Sequence, residues 1–315
     1  MSRLIDNAHV DVISRGLLGA VDVDGGPTDE QRRILHAIVA GYWERPDIDL
    51  TSAVVATPDE VAIVLENDDE RERFHELLVV LELTRHPLSE AQVERIELYS
   101  SAFGASGPDL QMTRDLVADG AEHARRDYLR LLRGTERQLE EPTLRGQEPV
   151  DEESNRALAA RLRALQDLPP DTLGYQYVAY YDRNGIPLPG EDPDMPTVYV
   201  SHDMNHVISG YEPTGQGEIS LGAMLLAMTG SHLHWVSFLG NLAVHEVGII
   251  GNAHLAPKVG TLAREGAPEL VAEAFRRGTR CTADFSTADH LSMVELPLEQ
   301  VRERFGVPPL SSALG

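Results

Sequence analysis

Apolar residues recur every three to four positions through the first 133 residues, and short acidic turns, proline and glycine separate these stretches. Such spacing places the apolar side chains on one face of a helix. The pattern therefore predicts helices at 10–21, 34–43, 74–83, 93–103 and 110–132.

An internal repeat with an offset of 60 residues runs through the same part of the chain. The matched positions are Leu17, Leu18, Val21, Asp22, Pro27 and Glu30 in the first copy, opposite Leu77, Leu78, Leu81, Glu82, Pro87 and Glu90 in the second. Two related helix–turn–helix units of this kind predict a compact helical bundle.

The remainder divides into a polar connection and a second helical unit. Residues 134–154 lack periodic apolar residues and are rich in Glu, Pro, Gly and Gln, which is typical of a linker. Helical spacing returns at 157–168, 173–184, 219–228, 235–256, 268–282 and 298–305, whereas 197–200 is a short β-prone stretch. The predicted fold class is all-α, with helical domains at 1–133 and 155–315.

Composition narrows the classes of function. The formal net charge is −24, and a chain without basic patches is a poor partner for nucleic acid. No apolar run is long enough for a transmembrane helix, and the N-terminal residues carry charges where a secretory signal needs an apolar core. Cys281 is the sole cysteine, which fits a reducing compartment. We therefore expect a cytoplasmic protein that does not bind nucleic acid.

His202 and His206, with Glu218 downstream, are the strongest candidates for chemistry. Two histidines four residues apart on a helix lie on one face, roughly 5–6 Å apart at Cβ, and can converge on one cation. Gly210 would end that helix, and the turn after it would return Glu218 to the histidine pair. Such a pair alone is more simply two surface histidines, but the added carboxylate favours a metal site. The ligand types suit Zn²⁺ foremost, and also Fe²⁺, Mn²⁺ or Co²⁺.

Asp203 directly follows the first histidine, where HExxH metalloenzymes carry their glutamate. On a helix it points about 100° away from His202 but lies three residues before His206. Its carboxylate could ligate the metal or accept a proton from a metal-bound water. The sequence leaves both roles open, so Asp203 is a candidate ligand and the candidate catalytic base.

The region around the motif offers weaker candidates for contacts behind the ligands, namely Tyr211, His245 and Glu246. Residues 221–256 are rich in Gly, Ala and Leu with isolated polar groups, among them Asn252 and His254. Helices of this composition could enclose a tunnel for an isoprenoid tail. The plainer interpretation is that they are ordinary core helices.

Asp22, Asp24 and Glu30 form a weak candidate site for a hard cation such as Ca²⁺ or Mg²⁺. The run lacks the spacing of an EF-hand, and acids before a helix also cap it and oppose its dipole, which is the favoured interpretation. The stretch VDVDGGPTDE at 21–30 resembles the TerB-like (tellurite-resistance B-like) helical domain, in which a helix runs into an acidic turn and then another helix. The resemblance implies a TerB-like bundle over residues 1–133.

The order His202-Asp203-x-x-His206, eleven residues, then Glu218 resembles the HDxxHx11E signature of the coenzyme Q biosynthesis protein 4 family. Further stretches are similar to that family: the pairs at 210–211 and 217–218, the lead-in LGYQY at 173–177, and a tail with RRG at 276–278 and PLEQVR at 297–302. The likeness runs in collinear order over about residues 155–308. Inside the motif, Met-Asn at 204–205 stands where Leu-Trp is usual.

This resemblance implies a metal- and lipid-binding domain of ubiquinone biosynthesis. Members of the family bind polyprenylated quinone precursors, are credited with oxidative decarboxylation at ring carbon 1, and have been regarded as scaffolds for other biosynthetic enzymes. The implied partners are such a precursor or a related lipid, the inner face of the cell membrane in peripheral contact, and further copies or enzymes in a complex. The alternatives are a non-catalytic lipid-binding scaffold and, with a redox-inert metal, a metal-dependent hydrolase.

Overall fold

The chain folds into α-helices joined by short turns. The computed structural model describes residues 5–104, 121–132, 135–146, 149, 151–192, 195, 197–251 and 258–311, and no β-strand occurs within those ranges. The all-α prediction is therefore confirmed. None of the helices in these ranges has the length and apolar composition needed to cross a bilayer.

The helices follow one another in this order along the chain: α1 Val10–Val21, α2 Asp29–Ala37 with a π-helical continuation Ile38–Tyr42, α3 Pro58–Val64, α4 Asp68–Leu83, α5 Glu90–Ala102, α6 Ala121–Leu132, α7 Glu136–Leu139, α8 Glu152–Arg163, α9 Leu173–Asn184, α10 Val198–Ser209, α11 Gly215–Thr229, α12 His232–His245, α13 Ala267–Arg280 and α14 Leu298–Phe305.

Local sequence signals set several of these bounds. Helix α9 covers the predicted 173–184: the Thr172 hydroxyl accepts a hydrogen bond from the Tyr175 N–H at its start, and Gly185 ends it at φ 65°. A threonine at the first cap satisfies a free N–H group, and glycine adopts the left-handed conformation without strain. Helix α14 also matches its predicted bounds.

Two predicted elements are wrong in the described residues. The β-prone stretch at 197–200 opens helix α10, because Val200, Met204 and Ile208 bury one helical face in the core and override the local β preference. Helix α12 ends at His245 rather than at residue 256, and 246–251 are not helical. The predicted residues 110–120 and 252–257, including Asn252 and His254, lie outside the described residues.

The 60-residue repeat corresponds to two helix pairs, α1 with α2 and α4 with α5. Adding 60 to 10–21 gives 70–81, which falls inside α4, and adding 60 to 29–42 gives 89–102, which matches α5 closely. Thr28 and Ser89 cap the second helix of each pair. Gln31 and Gln92 lie in the first turns of these two helices, and the Gln31 amide donates a hydrogen bond to Gln92 Oε1 at 2.9 Å. The TerB-like assignment of this bundle stays a prediction.

The two halves of the chain pack against each other in one hydrophobic core. Helix α13 lies so close to the π-helical segment that a Cβ on Gly41 would sit 2.3 Å from the carbonyl oxygen of Ala272. The rings of Tyr42 and Phe275 meet at 5.6 Å between centroids. The boundaries 1–133 and 155–315, and independent folding of either part, stay predictions.

Residues 135–146 of the predicted linker are partly packed against the fold, while Arg137, Gln138, Thr143 and Arg145 are exposed. They contain α7 and a turn, and Glu141 is fully buried. Its carboxylate accepts hydrogen bonds from the N–H groups of Thr143 at 2.6 Å and Leu291 at 3.3 Å. Backbone donors thus compensate the burial of a charged group, and the connection is fixed to the second half of the fold.

Candidate metal centre

His202 and His206 lie one turn apart on α10, as their spacing predicts. Their rings approach to 4.9 Å between centroids, in an edge-to-face arrangement. His206 is 1% exposed and His202 is half-buried. The pair therefore stands on the inward face of α10, with one side accessible.

The turn after α10 returns the chain to this pair. Gly210 ends α10 at φ 85°, and its N–H bonds to the His206 carbonyl at 2.7 Å. Thr214 caps α11 through the N–H of Gly217 at 3.1 Å. A Cβ at Gly217 would lie 2.0 Å from the carbonyl oxygen of Glu212, so only glycine fits this tight turn. The result is that Glu218 opens α11 directly beside the two histidines.

Three side-chain atoms from these residues form a nearly equilateral triangle. His202 Nε2 lies 3.1 Å from Glu218 Oε2 and 3.2 Å from His206 Nε2, and His206 Nε2 lies 3.2 Å from Glu218 Oε2. Two ligands ~2.05 Å from a tetrahedral metal are about 3.3 Å apart. The triangle therefore matches the spacing of three donors around one divalent cation, and these residues are one of the groups in the described chain that could hold a metal.

The second nitrogen of His206 fixes which atom faces the centre. Nδ1 donates to the backbone carbonyl of Tyr211 at 2.9 Å, which leaves Nε2 with its lone pair. Metal-binding histidines ordinarily have such a partner for the other ring nitrogen. Tyr211, a predicted outer contact, thus lies behind the ligand and acts through its backbone.

The acid and the histidines of the centre shift one another's pKa values. Burial disfavours a charged His202, but the adjacent Glu218 carboxylate outweighs this and raises the pKa of His202 to about 9. Burial alone would raise the pKa of Glu218, yet His206 and His202 hold it well below its ordinary range. Without a metal, the centre therefore retains a proton that a cation would displace.

Asp203 lies beside the triangle without belonging to it. Its Oδ1 is 4.0 Å from His202 Nε2, while Oδ2 accepts a hydrogen bond from the hydroxyl of Tyr181. The hydroxyl of Tyr177 in turn reaches that of Tyr181 at 3.4 Å. Burial, the largest effect, raises the pKa of Asp203 above its usual value. Sequence reasoning missed Tyr181, although two tyrosines four apart on α9 were a signal for a shared face.

Two arginines from the C-terminal helices hold the end of α10. Arg277 donates to the carbonyl of Ser209 at 2.6 Å, and Arg302 donates to the carbonyls of Ile208 at 2.9 Å and Val207 at 3.1 Å. Cations at the C-terminal carbonyls satisfy unpaired acceptors and oppose the helix dipole. These contacts give a structural reason for the arginines at 277 and 302 in the tail, since they fix the helix that carries both histidines.

Asn205 is buried on α10, three residues after His202. Its amide donates to the carbonyl of Ser286 at 3.2 Å and accepts from His290 Nε2 at 3.1 Å. A buried amide needs both kinds of partner. His290 and Ser286 supply them, so Asn205 connects α10 to the segment at 286–290.

The two other predicted outer contacts differ in position. His245 Nδ1 is buried without a hydrogen-bond partner among the described residues. Burial is the largest effect and lowers the pKa of this ring, while the charge of Glu218 raises it and the charges of His202 and His206 lower it. Glu246 forms its hydrogen bonds with residues other than the three candidate ligands. Its two oxygens are bound by His86 Nε2 and the Leu262 N–H, each at 2.8 Å, so this acid joins the two halves of the fold instead.

The cation site at the acidic turn stays a prediction. Among the described residues no metal-binding group contains Asp22, Asp24 or Glu30. Arg85 explains part of this, because its Nη2 lies 3.6 Å from Asp24 Oδ2 and supplies the opposing charge. Glu30 lies in the first turn of α2, where its charge opposes the helix dipole, whereas the cap itself is Thr28.

A second carboxylate–histidine group lies where α4 meets the start of α12. Glu72, Glu76 and His232 bring potential ligand atoms within 4.8 Å of one another. Arg73 Nη1 lies 2.7 Å from Glu76 Oε2, and both side chains are buried. The buried acid of this group therefore already has a permanent cation beside it.

Two known proteins are similar to parts of this chain. The chain is 29% identical to the ubiquinone biosynthesis protein COQ4, mitochondrial, of Podospora anserina over 154 residues, which are 43% of this chain and 50% of that protein. The chain thus spans about half the length of the curated relative it matches. A solved structure named "Putative ubiquinone biosynthesis protein", from Nostoc punctiforme PCC 73102, aligns with 75% of this chain and 97% of its own at 17% identity, with a TM-score of 0.34, too low to support an argument about fold. No protein-family model matches the chain.

Proposed function

We propose that this chain is a divalent-metal protein of quinone biosynthesis that acts on the head group of a polyprenylated precursor. The observation that carries the proposal is the triangle of two imidazole nitrogens and one carboxylate oxygen, with edges of 3.1 to 3.2 Å. The likeness to the Podospora anserina protein, which is named for ubiquinone biosynthesis, supports the pathway.

His202, His206 and Glu218 would hold the metal through Nε2, Nε2 and Oε2. When bound, the metal supplies a Lewis acid with coordination positions left for water or a substrate oxygen. Two histidines and a carboxylate are the ligands of catalytic zinc sites and of non-haem iron oxygenases. Zinc, the first candidate, has no redox chemistry and would suit a hydrolase, whereas oxidative decarboxylation calls for iron, manganese or cobalt.

Asp203 is the catalytic base in this proposal. Because Tyr181 binds Oδ2, the free oxygen is Oδ1, which lies 4.0 Å from His202 Nε2. Burial moves the pKa of this carboxyl upward, toward the range in which a side chain transfers protons effectively at neutral pH. The three ligands can then bind the metal while the fourth polar group accepts a proton next to it.

An apolar tail would lie along α11 and α12, whose residues are mostly apolar. The packing restricts where it can run. A Cβ at Gly222 would lie 2.9 Å from Phe238 Cδ2, and a Cβ at Gly278 would lie 2.2 Å from the carbonyl oxygen of Met224. Helix α11 is therefore in close contact with α12 and α13 at those points, and the tail would pass outside them. In this proposal the protein is cytoplasmic, touches the inner face of the membrane peripherally, and assembles with further copies or biosynthetic enzymes.

The test supplies a short-tailed prenylated hydroxybenzoate with ¹³C in the ring carboxyl group, under air, to protein loaded with iron, manganese, cobalt or zinc. The proposal expects labelled carbon dioxide from wild-type protein with a redox-active metal, with molecular oxygen as oxidant, and much less from Asp203→Asn. Binding of the precursor without release under any metal would favour the alternative, a non-catalytic prenyl-lipid-binding scaffold. If the protein neither binds the precursor nor releases labelled carbon dioxide, the proposal is rejected.

A further inference from the structure

The hydroxyl of Tyr180 is a buried polar group for which the described part of the chain offers no hydrogen-bond partner. The residue is 1% exposed, and its hydroxyl oxygen is one of the buried side-chain atoms left unpaired. Buried polar groups nearly always have a partner, because burying one without a hydrogen bond costs free energy. An exception close to a candidate metal centre points to a ligand that is not part of the protein.

Tyr180 lies directly against that centre. Its ring stacks on the imidazole of His206, with centroids 5.7 Å apart and planes 24° apart. A tyrosine hydroxyl ordinarily has a pKa of about 10, so it keeps its proton at physiological pH and is available as a donor.

The neighbouring tyrosines of α9 show that the missing partner is specific to this position. Tyr181 donates to Asp203, and Tyr177 donates to Tyr181. Asn184 bonds to the backbone carbonyl of Tyr180 and not to its hydroxyl. Arg183 lies over the Tyr180 ring, 5.2 Å from its centroid, as a cation facing the ring. Of the hydroxyls of Tyr177, Tyr180 and Tyr181, only that of Tyr180 is left without a hydrogen-bond partner among the described residues.

We propose that the Tyr180 hydroxyl donates a hydrogen bond to an oxygen-anion ligand bound at the metal centre of α10 and α11. The inference rests on the proposed metal site. A divalent metal with Glu218 as its one charged ligand keeps a net positive charge, which attracts an anion. A carboxylate fits best, because one oxygen can bind the metal while the other accepts from Tyr180.

The test measures acetate binding to cobalt-loaded protein through the visible absorption of Co²⁺. Tyr180→Phe keeps the ring and its stack on His206 and removes only the hydroxyl. Acetate should bind this variant about ten-fold more weakly, the effect of one hydrogen bond to a charged group. Cobalt content should be unchanged, and the midpoint of thermal unfolding should be unchanged or higher, because no bond within the protein is lost. Tyr175→Phe, the same change at a half-buried position of α9, should behave like wild type.

Equal acetate affinity in wild type and Tyr180→Phe, with cobalt bound in both, would overturn the inference and leave the metal site standing. A marked loss of stability in Tyr180→Phe would also overturn it, because the hydroxyl would then have a partner inside the protein. Failure of wild-type protein to bind cobalt would overturn this inference and the proposed function together.

Discussion

The hydroxyl of Tyr181 donates a hydrogen bond to Oδ2 of Asp203, and both residues are buried. The two oxygens of the carboxylate therefore have different surroundings. One is bound by a tyrosine of α9, and the other lies 4.0 Å from a histidine nitrogen of the metal centre. In the proposed function, Asp203 would act beside a group on the metal, which His202, His206 and Glu218 would hold.

Asp203→Asn should leave metal content nearly intact, because His202, His206 and Glu218 remain. Turnover of the correct substrate should fall by roughly 10²- to 10⁴-fold, the usual contribution of a general base. Elemental analysis and a single-turnover assay on the same preparation measure both quantities. If metal content and thermal stability fall together, Asp203 is a ligand. Full activity with full metal content would exclude both roles and favour the scaffold alternative.

Tyr181→Phe should destabilise the fold by about 1–3 kcal/mol, because it removes a donor from a buried carboxylate. The free energy of unfolding in urea measures this. Tyr175→Phe is the matched control, since it makes the same chemical change on α9 at a half-buried ring and should cost little. Equal stability of the two variants would mean that the contact between Tyr181 and Asp203 contributes nothing to the fold.

The metal-free protein should lose stability as the pH rises from 6.5 to about 9. The pKa of His202 is raised from 6.5 to about 9 in the fold, so its stabilising proton is fully present below pH 6.5 and is lost as the pH passes about 9. The pKa of Glu218 is lowered from 4.5, so its contribution is present above that pH and is lost in acid.

Thermal unfolding in the presence of a chelator, from pH 6.5 to 9, checks this prediction. Glu218→Gln removes the carboxylate that raises the pKa of His202 and should flatten the decline. Metal-loaded protein should show the opposite trend, because protons compete with the metal for the same nitrogens. An identical slope in metal-free wild type and Glu218→Gln would show that the pair does not carry the pH dependence.

His86→Ala should destabilise the protein by about 1–3 kcal/mol, because it leaves the fully buried Glu246 with one partner fewer. His36→Ala, at an exposed position of α2, is the control and should have little effect. Denaturant unfolding compares the two. Similar stability of both variants would indicate that the bridge between the halves is not needed to hold them together.

The sequence was sufficient where the structure depends on neighbours along the chain. The helix bounds 173–184, the end of α10 at Gly210 and the return of Glu218 follow from caps, glycine and side-chain spacing, all of which are local. The same reasoning gave the three potential ligands as one group, because a single tight turn connects them.

It was insufficient where contacts join distant residues. Tyr181 and Asp203 are 22 residues apart, and His86 and Glu246 are 160 apart, so no spacing rule connects them. The ion pair at the acidic turn is of the same kind, because the charge that pairs with Asp24 comes from Arg85 in the second copy of the repeat. The β-prone stretch before His202 became helical because core packing outweighs local propensity.

We propose that His202, His206 and Glu218 bind one metal. Elemental analysis of wild-type protein, His202→Ala, His206→Ala and Glu218→Ala tests it directly, with His232→Ala as the control because that histidine belongs to the other carboxylate–histidine group. We expect about one divalent metal per chain in wild type and His232→Ala, and a strongly reduced metal content in the other three variants. Equal metal content in all five proteins, or loss only in His232→Ala, would contradict it.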